Sequence, residues 1–382
     1  MIEILKYFLI LGITGFGGPL AIIEIMRKDL VLRKNWITMQ EFENYIGYSQ
    51  IAPGPLAFQV ALYTGYYRKG INGAVLAGFG LVFPSFLLLL GFSIFYLQYK
   101  DITYVKYALY GLAPVITAII FHSGFKLSTS LFKKDFFLYG IFFASILTGI
   151  FLRFNIIYLI IISAVLSLLY NSFTNKDKKL NIFSAILLIP LINPILAIWQ
   201  NLKVSFNEKF TDLSLLFLKV GSLTYGSGFV IVGVLRQEVV EKLGWLTAKE
   251  FIDGIAFGQI TPGPVVITST FIGYMVAGLP GSVISTVFIF LPTFVFVMLL
   301  APRINKFKDN FYLRSLIKGA NAAAIGAILS TAYFLSIDSL TDLYAIVLFI
   351  IAMILLFSTK LNALYLILLS AIAGIIIKTL II

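Results

Sequence analysis

Residues 50–55 read Gln-Ile-Ala-Pro-Gly-Pro and residues 259–264 read Gln-Ile-Thr-Pro-Gly-Pro, and each stretch stands within a long apolar run. Proline lacks the backbone N–H and its ring clashes with the preceding turn, so two prolines in an apolar helix break it. Inside a bilayer, the freed backbone groups are tolerated only where protein or a wet cavity satisfies them. The two stretches therefore predict broken helices around a polar site.

These stretches belong to an internal repeat that runs through most of the chain. Arg27 aligns with Arg236 and Trp36 aligns with Trp245, at an offset of 209 residues in both cases. Chance similarity between apolar helices explains matched Leu and Ile, but it does not explain matched Trp, Arg and Pro-Gly-Pro. Further matches are Phe16-Gly17 with Tyr225-Gly226, Thr38 with Thr247, Glu41 with Glu250, Gly65-Tyr66 with Gly273-Tyr274, and Pro84 with Pro292.

The composition requires lipid as the solvent. Hydrophobic residues make up 60% of the chain and charged residues 12%, with a mean hydropathy of +0.98, whereas soluble domains are about 45–50% apolar and about 25% charged. This balance excludes a soluble enzyme, a disordered chain and a coiled coil. The net charge of +12 lies in short loops, where it sets topology and does not indicate nucleic acid. With no cysteine and one histidine, no metal site or cofactor is expected.

Apolar runs of about 20 residues, the length that crosses the hydrocarbon core, predict an all-α polytopic membrane protein with thirteen transmembrane helices. Six precede an unpaired seventh, so the second copy starts on the opposite side of the membrane. We therefore expect two inverted repeats, 1–171 and 212–382, with a linker over 172–211. The predicted spans lie near 4–25, 46–67, 72–98, 104–127, 136–153, 155–171, 181–200, 212–235, 252–276, 281–301, 312–335, 342–357 and 361–381.

The distribution of Lys and Arg favours an N-terminus inside and a C-terminus outside. One loop, with Arg27, Lys28, Arg33 and Lys34, falls on the outer side in this topology. It returns to the inside if the first segment is re-entrant, and the sequence leaves that choice open. Inverted repeats are typical of secondary transporters, whose sites lie at the midplane where broken helices of both halves meet.

Four mirrored segments carry the predicted binding site. N–H groups at the start of a half-helix carry about half a positive charge and attract anions, and glycine lets an oxyanion approach the main chain. The alternative is that the glycines only permit helix packing and the prolines only kink the helices. The candidate residues are Phe16, Gly17, Gly18, Pro19, Gln50, Pro53, Gly54, Pro55, Tyr225, Gly226, Gly228, Gln259, Thr261, Pro262, Gly263 and Pro264.

Three basic residues are candidates for an electrostatic contribution to the site. Arg27 and Arg236 end the first segment of each copy, where they are either interface anchors or part of a charged vestibule. Lys219 lies within a predicted span and either snorkels to the surface or serves the substrate. We expect His122 to be a packed residue. Paired buried acids are missing from the spans, which favours an anionic substrate over a cation.

The ordered motifs resemble the chromate transporter family in its long two-domain form, over essentially the whole chain. One departure is Ile22, where members of the family often carry a histidine. The resemblance implies chromate efflux, with sulfate as the close structural analogue. It rests on Phe16-Gly17-Gly18-Pro19, Trp36, Gln50 to Pro55, Gly65-Tyr66, Gly70, Gly73 and Pro84-Ser85, and on Tyr225 to Gly228, Trp245, Gln259 to Pro264, Gly273-Tyr274 and Pro292 in the second half.

The sequence therefore predicts a plasma-membrane transporter that moves a tetrahedral dianion outward. Chromate is the first candidate for that dianion. A dianion leaving a negative interior gains about twice the 2.3 kcal/mol per 100 mV of a single charge. Uptake or exchange of sulfate or another oxyanion is the alternative within transport. An anion channel and a membrane enzyme acting on lipid-linked phosphates are the alternatives in other classes. The expected partners are the oxyanion and the lipid bilayer, without nucleic acid, and a homodimer is left open.

Overall fold

The computed structural model describes residues 1–49, 53–132, 135–174, 208–224, 228–303, 310–359 and 361–380. Throughout these ranges the secondary structure is helical, with no strand. The predicted span 181–200 and the candidate site residues Gln50, Tyr225 and Gly226 lie outside the described residues.

Among the described residues, seven α-helices lie in the first copy, and seven follow in the same order in the second. Each copy starts with two short helices, the second of which continues as a π-helix, Arg27–Arg33 or Arg236–Lys242. The first copy has α1 Ile2–Thr14, α2 Gly18–Met26, α3 Met39–Ser49, α4 Leu56–Tyr99, α5 Thr103–Phe132, α6 Phe136–Phe151 and α7 Ile156–Thr174. The second has α8 Glu208–Ser222, α9 Val230–Leu235, α10 Ala248–Ile260, α11 Thr268–Leu300, α12 Phe311–Ser339, α13 Leu343–Ser358 and α14 Ala363–Leu380.

Matching backbone angles support the correspondence between the copies. Gly70 inside α4 has φ 60° and ψ −154°, and Gly278 inside α11 has φ 61° and ψ −150°. Positive φ favours glycine, so the same break recurs at an offset of 208 residues. Contacts across each break show that the chain folds back there. The Gly65 and Gly73 backbones touch in α4, and Thr270 and Thr286 share a 2.7 Å hydrogen bond in α11.

The predicted spans 4–25 and 46–67 do not cross as single helices, because each reverses at its tip. Glu3 at the start of α1 lies 3.7 Å from Lys34 beyond the end of α2, so α1 and α2 are antiparallel. Tyr45 of α3 stacks on Tyr67 of α4 with ring centroids 5.2 Å apart. The short connections at 15–17 and 53–55 hold glycines with positive φ, which let the chain turn sharply.

The predicted spans 212–235 and 252–276 of the second copy are corrected in the same way. Lys219 of α8 is paired with Glu238, beyond α9, at 3.0 Å. Gly258 of α10 lies against Thr268 at the start of α11. Each copy therefore contains two re-entrant helical hairpins, and the count of thirteen crossing helices is not confirmed. Of the two alternatives for the first segment of each copy, spanning or re-entrant, the reversal of the chain favours the re-entrant one.

The remaining predicted spans correspond to long apolar helices, as expected of a multi-pass membrane protein. By length and composition, six described helices can cross a membrane, and two shorter apolar helices accompany them. The six are Leu56–Tyr99, Thr103–Ser130, Ile156–Thr174, Val265–Leu300, Phe311–Ser339 and Ala363–Leu380, and the shorter two are Phe136–Phe151 and Leu343–Ser358.

The two copies interlock. Helix α5 packs on α13 and α14 of the other copy, and α12 packs on α6 and α7. The crossings depend on glycine, because a Cβ on Gly111 would overlap the backbone of Ser370, and a Cβ on Gly319 would overlap that of Ser163. Small residues of this kind allow close helix approach where lipid supplies no hydrophobic drive.

Contacts at both ends of α4 show that its long arm, 71–99, runs antiparallel to the long arm of α11, 279–300. Tyr67, beside the fold of α4, donates a 2.9 Å hydrogen bond to the carbonyl of Ala301, just beyond α11. At the other end, Lys100 follows α4 and pairs at 2.9 Å with Glu250, in the first turn of α10. That turn lies on the same side as the fold of α11, so the two long arms run in opposite directions.

Candidate functional site

The tips of the four re-entrant hairpins meet through two matching backbone hydrogen bonds. The N–H of Gly54 donates to the carbonyl of Thr224 at 2.5 Å, and the N–H of Gly263 donates to the carbonyl of Gly15 at 3.1 Å. Gly54 corresponds to Gly263 and Gly15 to Thr224, each at an offset of 209 residues. The contact is therefore reciprocal, as a two-fold relation between the copies requires.

The two Pro-Gly-Pro tips each also rest on the middle of a long arm from the other copy. The hydroxyl of Ser85 in α4 donates to the carbonyl of Pro262, and a Cβ on Gly54 would overlap Thr293 of α11. Ser85 and Thr293 are both fully buried and lie near the centres of their arms. The tips thus meet at mid-length of helices that are long enough to cross a membrane.

Four helical segments begin at these tips, and none of them has a side-chain cap. They are α2, α4, α9 and the 3₁₀ turn Val265–Ile267 that leads into α11. Four helices that begin elsewhere have side-chain caps, from Asp135, Thr247, Asn310 and Asp342. The first N–H groups of a helix have no intrahelical partner, and no side chain of the described residues caps them at these four starts. At about half a charge each, four such ends amount to roughly two positive charges.

Four carbonyl groups at the same tips accept hydrogen bonds within the protein and are therefore not free acceptors. The acceptors come from both copies, and each receives a hydrogen bond from a neighbouring loop or helix. These pairs are the carbonyl of Gly15 with the N–H of Gly263, that of Thr224 with the N–H of Gly54, that of Pro262 with Ser85 Oγ, and that of Gly54 with Gln59 Nε2 at 2.9 Å. A surplus of donors in a buried, turn-rich site suits an anion.

The segment Phe16 to Pro19 is the most exposed of the described tip segments. Phe16 is half-buried and Gly17 is exposed, with φ 101°. Gly18 has φ 80°, and no atom of the described residues outside its immediate chain neighbours lies within 4 Å of where its Cβ would lie. Pro19 lies in the first turn of α2. An anion therefore has room to approach the main chain at Gly18.

The remaining described candidates lie inside the protein. Thr261 Oγ1 donates to the carbonyl of Gly258 at 2.9 Å. Gln259 is partly buried, and its Nε2 has no hydrogen-bond partner among the described residues. The fully buried candidates are Pro53, Gly54, Pro55, Gly228, Thr261, Pro262, Gly263 and Pro264.

Gly54 and Gly263 pack the tips together in this structure, whereas the sequence predicted that they bind the anion. Each N–H already donates to a carbonyl of the other copy, so these two donors are engaged with protein in this conformation. The absence of a side chain serves close packing of the tips, because a Cβ would meet Thr293 or Ser85. The donors left for an anion are those of the four uncapped helix starts.

All three candidate cations are held by carboxylates. Arg27 pairs with Glu24 at 2.7 Å, and this guanidinium holds the pKa of Glu24 below its usual range. Lys219 pairs with Glu238 at 3.0 Å. A paired cation has little charge left to offer a substrate.

Arg236 is the most enclosed of the three. It pairs with Asp338 at 2.8 Å and with Glu241, and its side chain is 11% exposed. Its guanidinium also lies 5.2 Å from the centre of the Phe334 ring. These contacts make Arg236 an anchor between the π-helix of the second copy and α12.

We expect Arg27→Ala and Lys219→Met to leave oxyanion flux within about threefold of the unmodified protein, because exposed or paired charges contribute little. Flux into vesicles containing the purified variants measures this. A dead Lys219→Met variant with normal insertion would show instead that side-chain charge carries recognition.

Sequence reasoning did not identify several residues that form the site. Ser85 and Thr293 each follow a proline that is matched between the copies, and a hydroxyl side chain recurring there was the available signal. Nothing local marked Thr224 as the acceptor of a tip. His122 packs edge-on against Phe357 with ring centroids 4.9 Å apart. In the described part of the chain, no three His, Cys, Asp or Glu residues are grouped to hold a metal.

Comparisons with known proteins agree with the two-copy organisation. The chromate transporter family matches the chain twice, over residues 2–168 and 211–375. A probable chromate transport protein of Synechococcus elongatus is 34% identical over 98% of this chain and 95% of its own length. A chromate transport protein of Cupriavidus metallidurans is 34% identical over 94% and 88%, and one of Pseudomonas aeruginosa is 29% identical over 97% and 91%. No solved structure matches the chain.

Proposed function

The chain belongs to the chromate transporter family, and from this premise we propose that it carries chromate outward across the plasma membrane. The substrate assignment follows the chromate transport proteins to which the chain is similar along its full length. The outward direction follows from charge, since a dianion leaving a negative interior gains about 4–5 kcal/mol per 100 mV.

The observation that carries the proposal is the convergence of four uncapped helix starts from two oppositely directed copies. About two positive charges of helix-dipole origin match the charge of chromate. Each hydrogen bond to a charged group contributes roughly 1.5–3 kcal/mol, so several donors offset much of the dehydration cost. The enclosed cations are occupied by carboxylates, so the backbone supplies most of the binding.

The re-entrant hairpins also remove the objection to an internal N-terminus. Because α1 and α2 reverse, the loop with Arg27, Lys28, Arg33 and Lys34 returns to the side of Met1. Four crossings then remain in each copy, namely the long arm of α4 or α11 and the three helices after it. Together with the span predicted from the sequence at 181–200, which lies outside the described residues, the proposed total is nine crossings, with N-in and C-out and the second repeat, 212–382, inverted relative to the first, 1–171.

Two oppositely directed copies suit alternating access, in which one copy opens to each side. A channel requires no such mirrored gating. An enzyme acting on lipid-linked phosphates requires a cluster of acids or histidines, and none is grouped for a metal within the described ranges.

The direct test is flux of radiolabelled chromate and sulfate in vesicles that contain the purified protein, under an imposed potential. We expect saturable chromate movement toward the positive side. Movement of sulfate alone would replace the substrate, and flux without saturation would indicate a channel. Phosphate release from a lipid-linked substrate without flux would indicate the enzyme.

Gln259→Ala should weaken chromate binding by about tenfold to a hundredfold, the loss of one hydrogen bond to a charged group. Gln259 Nε2 is the buried amide donor without a partner among the described residues. The half-saturating chromate concentration for flux measures the effect. Gln98→Ala, at an exposed position near the end of α4, is the matched control. Equal values for both variants would remove Gln259 from the site.

A further inference from the structure

Asp253 is a buried acid that the binding of the anion does not use. It lies in α10, in the second re-entrant hairpin of the second copy, and is 2% exposed. Its Oδ2 accepts a 2.9 Å hydrogen bond from the hydroxyl of Tyr96, in the long arm of α4. Among the described residues it forms no salt bridge. Its hydrogen-bonding partner, Tyr96, is a neutral side chain that belongs to the other copy.

The acid is specific to one copy. The aligned position in the first copy is Asn44, again at an offset of 209 residues. An amide has the size of a carboxylic acid but does not ionise. The repeat therefore keeps the shape at this position and places a titratable group in the second copy alone, which general packing does not require.

The charged groups around Asp253 leave it without a cation of its own. Lys100, on the neighbouring α4 side, is paired with Glu250 at 2.9 Å, and its ammonium lies 5.5 Å from the centre of the Tyr96 ring. Glu250 and Lys249 lie one turn away on α10 itself. Among the charged groups on elements that also pack on α10, Lys106 of α5 pairs with Asp101, Asp338 of α12 with Arg236, and Lys378 of α14 with Asp342. On the π-helix Arg236–Lys242, which also packs on α10, Glu238 pairs with Lys219 and Lys242, and Glu241 with Arg236.

A buried carboxylate with no cationic partner is costly, and it escapes that cost by taking up a proton. Ionisable groups at membrane depth often mark proton relays. Asp253 is also close to the anion site, because α10 ends at Ile260, about 10 Å further along the helix axis. A dianion at the tips and a carboxylate on α10 repel each other, so occupancy by the anion favours the neutral acid.

We propose that Asp253 is the proton-binding site of this transporter: a proton binds to its carboxylate when the oxyanion binds at the tips, and the two cross together. This inference rests on the proposed oxyanion transport. One dianion with one proton moves a single net negative charge, which a negative interior still drives outward.

The experiment measures anion flux and proton movement together, in vesicles that contain the full chain, an internal pH dye and a clamped potential. Radiolabelled chromate is the anion, and the comparison is between the unmodified protein and Asp253→Asn. We expect proton movement with chromate in the unmodified protein, and flux that changes about fivefold or more across the neutral pH range. Asp253→Asn should carry chromate without the protein-linked proton and with little pH dependence. Protonation of chromate itself is the same in both and cancels in the comparison.

Glu250→Gln is the matched control, because it removes a neighbouring carboxylate of α10 and keeps the capping interaction with Thr247. It should retain proton movement. Tyr96→Phe removes the hydrogen bond to the ionised acid and should shift the midpoint of the pH dependence to higher pH, which gives a second measurement if Asp253→Asn fails to fold. Proton movement that persists in Asp253→Asn, or an unmoved midpoint in Tyr96→Phe, overturns the inference and leaves oxyanion transport standing. No flux in the unmodified protein overturns both.

Discussion

Valine in place of Gly54 or Gly263 should reduce oxyanion flux below detection while the protein still inserts in the membrane. A Cβ at Gly54 would overlap Thr293, and a Cβ at Gly263 would lie 2.6 Å from Ser85 Oγ. Both glycines also have positive φ, 135° and 97°, which a β-branched residue does not adopt without strain. The tips would separate, and with them the helix starts that hold the anion. Flux in vesicles and the yield of inserted protein measure the two parts of the result.

The matched control is Gly91→Val in the long arm of α4. Gly91 is exposed, and no atom lies within 4 Å of where its Cβ would lie. Its flux should stay within about twofold of the unmodified protein, since an exposed helical valine costs less than about 1 kcal/mol. Normal flux in Gly54→Val would show that contact between the tips is not needed for transport.

Replacing Arg236 with methionine should give the largest loss of stability among the charged positions. The change leaves Asp338 and Glu241 without their cation in a largely enclosed site. Removing one partner of a buried pair costs about 3–5 kcal/mol, and the partial exposure of both acids favours about 3. Thermal unfolding of the purified protein in detergent measures the loss.

A compensated variant separates charge from packing. Asp338→Asn and Glu241→Gln, added to Arg236→Met, remove the stranded charges and should restore most of the unfolding temperature. Arg27→Met is the matched single change at the aligned position of the first copy, where the arginine side chain is 38% exposed. It should cost less than about 1 kcal/mol. Equal losses at Arg27 and Arg236 would show that burial of the pair is not the cause.

The positions of the helix breaks could be predicted from the sequence because proline acts locally. Pro53 to Pro55 separate α3 from α4, and Pro262 to Pro264 separate α10 from α11. The repeat was visible for a similar reason, since Trp36 and Trp245 are rare residues whose matched spacing survives the divergence of the apolar positions. Both signals depend on residue identity alone.

The reversal of the chain at each break could not be predicted in the same way. A proline specifies where a helix ends, but it does not specify the direction in which the next helix leaves. That direction is set by contacts between copies, such as Gly54 with Thr224, which are more than 150 residues apart in sequence. A hydropathy window therefore counted each hairpin as one crossing helix.

The packing role of Gly54 could not be predicted from the sequence, for a related reason. A glycine that admits an anion and a glycine that admits Thr293 leave the same local pattern, because both need the absence of a side chain. The ion pair of Lys219 could not be predicted either, since its partner Glu238 lies across a re-entrant turn from it. The missing side-chain caps at two of the helix starts could be predicted from the sequence, because no Ser, Thr, Asp or Asn directly precedes Leu56 or Val265.

The central claim is that the oxyanion binds where four helix starts from two opposed copies converge. A structure determined with chromate, with chromium located by its anomalous scattering, tests it most directly. The account predicts one chromium peak among the N-termini of α2, α4, α9 and the turn Val265–Ile267, within hydrogen-bond reach of backbone N–H groups. A peak beside Arg27 or Lys219, with these helix starts empty, would contradict it.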